Sequence, residues 1–341
     1  MTDPRPRADV PGMKLPTPRT PDPASAPGLR WGLLGAGWIA SQLAISLRGT
    51  AQTVVAVGSR DLQRAQGFVD EHVPDARAHG SYADLVADPD VDAIHVASPH
   101  SEHLEHALLA IRAGKHVLVE KPLAPTADEA AQIVAAAREA GVFCMEAMWT
   151  RFLPHVDVLR QVLDAGLLGE VSTVLADHSI PLWPDGPERL ADPDLAGGAM
   201  LDLGIYPLSF ASLCLGGITS ATGLGSLTDR GVDRRLAWVA QGPTGAVASL
   251  ATDMSVSSPT TASVNGTWAR LELDTMFYTP TTMRLVGADG DPRRIIDVQW
   301  RTPHLGTLGV VEVHRREYLT RLEHALQAPA LDLAAMVRGS I

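Results

Sequence analysis

Cysteine is nearly absent from this chain: Cys144 and Cys214 are the two in 341 residues, far apart and each inside an apolar stretch. Two such thiols argue against a disulfide framework or a cysteine-ligated metal, and they fit a reducing compartment. Positive charge is short as well, with 28 Lys and Arg against 39 Asp and Glu and a net charge of −11. That balance argues against nucleic acid or an anionic membrane as the main partner, while leaving room for a locally basic small-molecule site. No apolar run reads as long enough to span a bilayer, and none near the start resembles the core of a signal peptide. A cytoplasmic protein is the expectation.

What is there suits two domains, since 341 residues exceed one small core and 45% of them are apolar. Residues 1–28 stand apart, with eight prolines mixed among Arg, Asp, Thr and Ala. Such a segment lacks the apolar surface to offset its ordering entropy, so a disordered tail is expected there. The domains are then expected over 29–150 and 151–341.

From residue 29 the pattern is strand, helix, strand, helix. "LRWGLLGAGWIASQLAISLRG" holds a short apolar strand, a glycine turn and a helix whose Ala40, Leu43, Ala44 and Leu47 share one face. Gly35, Gly37 and Ala40 fit G-x-G-x-x-A. In a dinucleotide-binding turn the first glycine permits the tight bend, the second lets backbone approach a pyrophosphate, and the third position packs helix on strand. Gly35, Gly37, Trp38, Ile39 and Ala40 are therefore candidates for cofactor contact. The next strand, "TVVAVGSR", ends in Ser59 and Arg60 where an NAD-binding fold places an acid. A hydroxyl and a guanidinium suit a 2′-phosphate, so NADP is the expected cofactor, with NAD remaining open. Asp61 next door weighs against the preference, and Arg60 could equally be a surface residue at a helix start.

Alternation continues through "VDAIHVAS", the helix "SEHLEHALLAIRAG", the strand "HVLVE", a helix opened by the capping box Thr126 to Glu129, and "VFCMEAM". Alternating strands and helices imply a doubly wound parallel sheet of α/β class. Ser98, Pro99 and His100, then Glu120, Lys121 and Pro122, then Glu146 to Trp149, leave three strand ends along one rim with the glycine turn. A charged pair such as Glu120 and Lys121 is commonly a solvated edge. At the carboxyl ends of parallel strands it is also where ligands bind. His100, His103 and His106 do not converge as metal ligands, because His100 and His106 are about 600° apart on a helix. His100 and His103 are expected to line a cofactor, and His106 to be solvated.

These residues resemble the glucose–fructose oxidoreductase / inositol dehydrogenase / MocA family of NAD(P)-dependent oxidoreductases. "GLLGAGWIA", "ASPHSEH" and "EKP" match its N-terminal pattern in order and spacing; "EAMWTRFLP" and "GGAMLDLGIYPL" are similar to its branch of dihydrodiol dehydrogenases and NADP-dependent D-xylose dehydrogenases. The likeness covers roughly residues 29–215. It implies a Rossmann domain followed by an α+β domain on an open, mostly antiparallel sheet, with the active site between them. It also implies that Lys121 reaches the substrate hydroxyl, and that Asp202 and Tyr206 supply an acid and a proton-transfer residue. Trp149 and Arg151 would lie against the nicotinamide half of the cofactor. The substrate would be a sugar, polyol or cyclic diol, and the shared sheet would form subunit contacts in a homo-oligomer. Gly197-Gly198-Ala199 stands where three glycines are usual, and the C-terminal stretch from Val310 to Ile341 departs from the pattern.

Read on its own residues, the second half starts with a helix from Pro154 and a strand "EVSTVLADHSI", then a Pro-rich loop at the cleft. The segment "GAMLDLGIYPLSFASLCLGG" reads as one helix with Asp202 and Tyr206 one turn apart. Tyr206 could be a core aromatic and Asp202 a local cap. On the catalytic reading, Lys121 favours the phenolate, Tyr206 is the general base, and His178 is the next candidate for that role. Short β-rich runs between turns, from "TGLGSLTD" to "RRIIDVQW", predict several antiparallel strands. A sensor that binds NADP without turnover is the alternative, which the joint presence of Lys121, Asp202 and Tyr206 disfavours.

Overall fold

The computed structural model describes residues 15–287. Its first half runs β1 (Arg30–Leu34), α1 (Trp38–Ser46), β2 (Thr53–Gly58), α2 (Leu62–His72), β3 (Arg77–His79), α3 (Tyr82–Ala87), β4 (Ala93–Val96), α4 (His103–Arg112), β5 (His116–Val119), α5 (Ala127–Ala140) and β6 (Cys144–Glu146). The strands form one parallel sheet in the order β3-β2-β1-β4-β5-β6. The order reverses between β1 and β4, which opens a crevice at their carboxyl ends. β4 is buried at all four positions because helices cover both faces of a central parallel strand. Local chemistry sets the helix ends: Thr126 and Glu129 complete a capping box on α5, and Gly141 stops it in the left-handed region at φ 67°.

The second half holds α6 (Pro154–Asp164), β7 (Val171–Ser179), α7 (Ile205–Leu215), β8 (Ser220–Leu227), β9 (Asp233–Gln241), β10 (Val247–Asp253), β11 (Ala262–Gly266), β12 (Ala269–Leu273) and β13 (Met283–Gly287). Its sheet has the order β13-β12-β11-β7-β10-β9-β8 and is antiparallel except for the β7–β10 pair. Val174, Leu250, Trp238 and Leu271 on one face pack against Leu159, Phe210 and Cys214 of α6 and α7. The expected open, mostly antiparallel sheet is present through Gly287. The predicted strand at "RRIIDVQW" and the divergent C-terminal stretch lie outside the described residues.

Three expectations change. The helix expected across residues 198–217 begins with a π-helical turn, Met200–Gly204, before regular α7 starts. The helical run Pro193–Leu215 does pass the length and composition test for a membrane span, contrary to the reading of the sequence; 61% of its apolar window is buried in the protein itself. The N-terminal tail is also not wholly unattached. The Arg19 backbone N–H and guanidinium donate to the Asp157 carboxylate at 2.7 and 2.8 Å, Gln161 donates to the Thr17 carbonyl at 2.9 Å, and Leu15 packs against the second core. Composition predicted disorder; a carboxylate on the first turn of α6 supplied a partner instead. Removing residues 1–28 is therefore expected to lower Tm by a few degrees. An exposed ion pair is a weak contact, so an unchanged Tm in calorimetry would show that the docking contributes nothing.

Candidate active site

Four loops meet at the carboxyl rim of the parallel sheet. The glycine turn comes first. Gly35 sits at φ 111°, and a Cβ there would stand 2.8 Å from the Ala97 carbonyl oxygen, so this bend requires glycine. Gly37 opens α1 with no side-chain cap, and a Cβ built on it meets nothing within 4 Å. The first N–H groups of α1 are thus free to receive an anion at a bare helix start, which fits a pyrophosphate. Trp38 is 75% exposed on the first turn, Ile39 is half-buried beside it, and Ala40 is enclosed in the helix–strand packing.

The end of β2 carries the expected Ser59 and Arg60. Ser59 is buried, its N–H bonded to the His79 carbonyl, while Arg60 is exposed with Nη1 3.8 Å from Glu102 Oε1. The Asp61 side chain caps α2, accepting from the Gln63 N–H at 2.8 Å. One turn along, Arg64 reaches within 3.5 Å of the Ala36 carbonyl in the glycine turn.

Ser98, Pro99 and His100 leave β4. The Ser98 carbonyl and hydroxyl face His103 and His106, and Pro99 starts the short helical turn that leads to them. The sequence suggested that His103 lines a cofactor, but its ring is not exposed. It is fully enclosed, with Nδ1 2.8 Å from the Pro122 carbonyl and Nε2 3.0 Å from the Ser98 carbonyl. The ring ties the exits of β4 and β5 together. His106 is not solvated either: it is buried, 2.8 Å from Ser98 Oγ, with its ring edge-on to Tyr82. Both reversals follow from α4 packing between α3 and α5, which a single-helix wheel does not show.

The Glu120-Lys121-Pro122 turn is held from several sides. Glu120 accepts from buried His95 at 3.0 Å and from the Lys121 N–H at 3.2 Å, while Glu146 accepts the Leu123 N–H at 2.9 Å. The Lys121–Pro122 peptide is cis. With Glu120 occupied in this way, Lys121 Nζ crosses to the second domain, donating to the Asp202 carbonyl at 2.8 Å and to its carboxylate at 3.2 Å. An ammonium carries three donors, so a third remains for a substrate oxygen. The pair is largely enclosed rather than a solvated edge, with the Lys121 side chain 15% and that of Asp202 10% exposed.

The π-turn presents Asp202 to two cations, because Arg189 Nη2 also donates to Oδ1 at 3.1 Å. Burial opposes the charged carboxylate, but the Lys121 and Arg189 charges outweigh it and bring Asp202 down to about 2. Tyr206 lies one turn on, with its ring 5.3 Å from Lys121 Nζ and its hydroxyl accepting from Trp149 Nε1 at 3.4 Å. The expected lowering by Lys121 does not prevail. Burial pushes Tyr206 up to about 12 against the Trp149 donor, and the Asp202 and Glu120 charges push the same way. The ammonium faces the ring rather than the hydroxyl, so the phenol is protonated at neutral pH in this state.

Around the phenol stand His178, 5.5 Å away ring to ring, and Tyr278, 4.6 Å away. Burial and the Lys121 charge take His178 down to about 4, so it is a neutral ring whose buried Nδ1 has no hydrogen-bond partner among the described residues. His100 closes the opposite side, its Nδ1 3.1 Å from the Ala196 carbonyl, and burial takes it to about 4 as well. Arg151 turns to the Ser209 hydroxyl at 3.0 Å, under Trp149.

Sequence reading did not single out Arg189, Tyr278, His95 or Arg64. Arg189 lies in an aperiodic Pro-rich loop and Tyr278 between two strands, so neither had a local pattern to reveal it. The Gly197-Gly198-Ala199 departure is harmless. Gly198 takes φ 113° beside the Asp233 carboxylate, whereas Ala199 is ordinary right-handed helix at φ −70°.

Comparison with known proteins agrees with this fold. Residues 29–148 match the family model described as GFO_IDH_MocA, oxidoreductase family, NAD-binding Rossmann fold, and residues 156–272 match the GFO/IDH/MocA C-terminal domain. Trans-1,2-dihydrobenzene-1,2-diol dehydrogenase of Bos taurus is 39% identical over 265 residues, 76% of this chain and 78% of its own; the Homo sapiens protein is 36% identical over the same shares. Among solved structures, the 3-ketoreductase KijD10 of Actinomadura kijaniata, in complex with NADP, is 29% identical with a TM-score of 0.66, covering 77% of this chain and 82% of that one. Aldose-aldose oxidoreductase of Caulobacter crescentus is 26% identical with a TM-score of 0.69, over 78% and 84%. The chain belongs to the GFO/IDH/MocA family of NAD(P)-dependent oxidoreductases.

Proposed function

We propose that this oxidoreductase acts on a ring hydroxyl of a cyclic trans-diol or a similar vicinal diol of a sugar, using NADP in preference to NAD. One observation carries the reading: an ammonium, a carboxylate and a phenol, from Lys121, Asp202 and Tyr206, meet where the cofactor rim faces the second sheet. The aromatic wall of Trp149, Tyr206 and Tyr278 suits a flat, partly apolar ring. When bound, the nicotinamide ring supplies the hydride acceptor, or the hydride in its reduced form. The remaining work belongs to the chain. Lys121 holds the substrate oxygen with its third N–H and stabilises charge developing on it. Asp202 accepts from the neighbouring hydroxyl and fixes which carbon faces the cofactor. Tyr206 takes the hydroxyl proton in oxidation and returns it in reduction, a proton transfer that its protonated resting state favours in the second direction.

The test is incubation with NADP⁺ and a panel of cyclic trans-diols and aldoses, following absorbance of the reduced cofactor. Absence of turnover on every member would remove the diol reading. Cofactor preference is checked separately. A charge-assisted contact from Arg60 to the 2′-phosphate is expected to favour NADP⁺ over NAD⁺ by about ten- to hundredfold. Arg60→Ala should erase most of that in a calorimetric titration, and equal binding of both cofactors to the native protein would sink the idea.

The outer face of the second sheet supports a homo-oligomer. Leu175, Ser249, Val239 and Thr222 pair in one row across β7, β10, β9 and β8, with Leu175 50% and Val239 46% exposed. A second copy laid on that row would cover it. Two free thiols fit a cytoplasmic setting.

A further inference from the structure

The ribose end of the nucleotide cleft has its cation from β2 and an acid from elsewhere. In folds of this kind the acid that binds ribose hydroxyls stands at the end of β2; here that place holds Ser59 and Arg60. Across the crevice, just past β4, Glu102 points its carboxylate toward Arg60, with Oε1 3.8 Å from Nη1. The other oxygen, Oε2, is buried and has no hydrogen-bond partner among the described residues. Its nearest charged neighbour is His106 Nδ1 at 3.8 Å, and that nitrogen already lies 2.8 Å from Ser98 Oγ. Burial lowers the His106 pKa, so the ring brings no positive charge to neutralise the carboxylate. Tyr82 closes the floor of this corner with its ring 4.6 Å from His106. Arg60, Arg64 and Glu102 all act electrostatically on its hydroxyl.

We infer that Glu102 is a specificity-determining residue: it competes with the 2′-phosphate of NADP for Arg60 and so limits the preference for NADP over NAD. The inference rests on Arg60 being the 2′-phosphate ligand. A phosphate on Arg60 competes with the Glu102 contact and sits close to a carboxylate, and both effects oppose binding. A ribose 2′-hydroxyl meets no such opposition, because it carries no charge for the carboxylate to repel. Arg60 and Glu102 therefore pull selectivity in opposite directions from the two sides of one cleft. The distance of 3.8 Å is an ion-pair distance and not a hydrogen bond, so the guanidinium can be taken over by a better partner.

Glu102→Gln keeps the size of the side chain and removes its charge. Calorimetric titration of the full chain should show NADP⁺ binding about five- to tenfold tighter, with NAD⁺ within about twofold of native, as expected for removing one like charge near a partly screened phosphate. Adenosine 2′,5′-bisphosphate should gain in the same proportion and 5′-AMP should not, which places the effect at the 2′-phosphate. In an Arg60→Ala background the gain should fall below half, because the two residues act on one another. Unchanged or weaker NADP⁺ binding in Glu102→Gln at an unchanged Tm overturns the inference, as does an equal gain for both cofactors. If Arg60→Ala alone leaves NADP⁺ affinity untouched, the assignment of Arg60 fails and the competition falls with it. An Arg60→Ala loss combined with no Glu102→Gln gain leaves Arg60 in place and rejects Glu102.

Discussion

Tyr206→Phe is expected to lower turnover on any substrate found by about 10²–10⁴-fold, the usual contribution of a general acid–base group. The ring and its contacts with Tyr278 and His178 remain, and the hydroxyl that is lost accepts one long bond from Trp149. Tm and NADP affinity should therefore stay close to native. Lys121→Ala should cost at least as much, since it removes the donor to the substrate oxygen. Groups that act as a unit are not additive, so the double variant should be little worse than the worse single one. The pH profile supplies a second check. Oxidation needs the phenol to give up its proton, and in the free protein that group is pushed up to about 12. Oxidative kcat/KM should climb through the alkaline range in the native protein and lose that climb in Tyr206→Phe. Full turnover in Tyr206→Phe would leave the residue a core aromatic and make His178, whose Nδ1 is buried without a described partner, the base to test.

Asp202→Asn is expected to cost both stability and turnover. The native carboxylate is held at about 2 instead of 3.8, burial opposing and the Lys121 and Arg189 charges prevailing. A depressed carboxylate stabilises the fold at pH above its unfolded value and loses that contribution as pH falls through the folded one. The shift corresponds to about 2–3 kcal/mol at neutral pH. Urea midpoints of the native protein and Asp202→Asn should therefore differ at pH 7 and pH 5, and converge as pH approaches 2. Removing one member of a buried ion cluster also leaves its cations poorly paired, which acts in the same direction. Equal midpoints at pH 7 would mean that desolvation of the cluster cancels its attraction. Turnover should fall as well, because the Asn amide cannot hold Lys121 by charge.

The parallel sheet could be read in advance because most of its strands are short apolar runs alternating with helices, and such signals are local. β3 and α3, at three and six residues, fell below the length at which a period is visible. Lys121, Asp202 and Tyr206 were legible through their motifs, but the electrostatics among them were not. Whether an ammonium lowers a phenol depends on which side of the ring it meets, and that is set by the π-turn at Met200–Gly204. Arg189 and Tyr278 come from segments 13 residues before and roughly 70 after the motif they serve, with no periodicity of their own. The docked part of the tail was hidden for the same reason. Arg19 and Asp157 are 138 residues apart, and composition carries no account of partners.

The β7–β10 pairing has a consequence for the order in which the chain can be completed. β7 lies between β10 and β11 in the second sheet, yet Thr173 waits for Val247, roughly seventy residues later, to pair with it. The whole of α7 and the β8–β9 hairpin are made in between. A chain growing from its N-terminus therefore exposes β7 with both edges unpaired while the nucleotide-binding sheet already has all six strands. Pairings so distant in sequence pay a large loop-closure cost before they gain contacts, and they form slowly. α7, with Tyr206 at its start and Asp202 in the π-turn before it, has no finished sheet to rest on until residues 247–266 emerge. The nucleotide-binding sheet is thus complete in sequence well before the strands that flank β7.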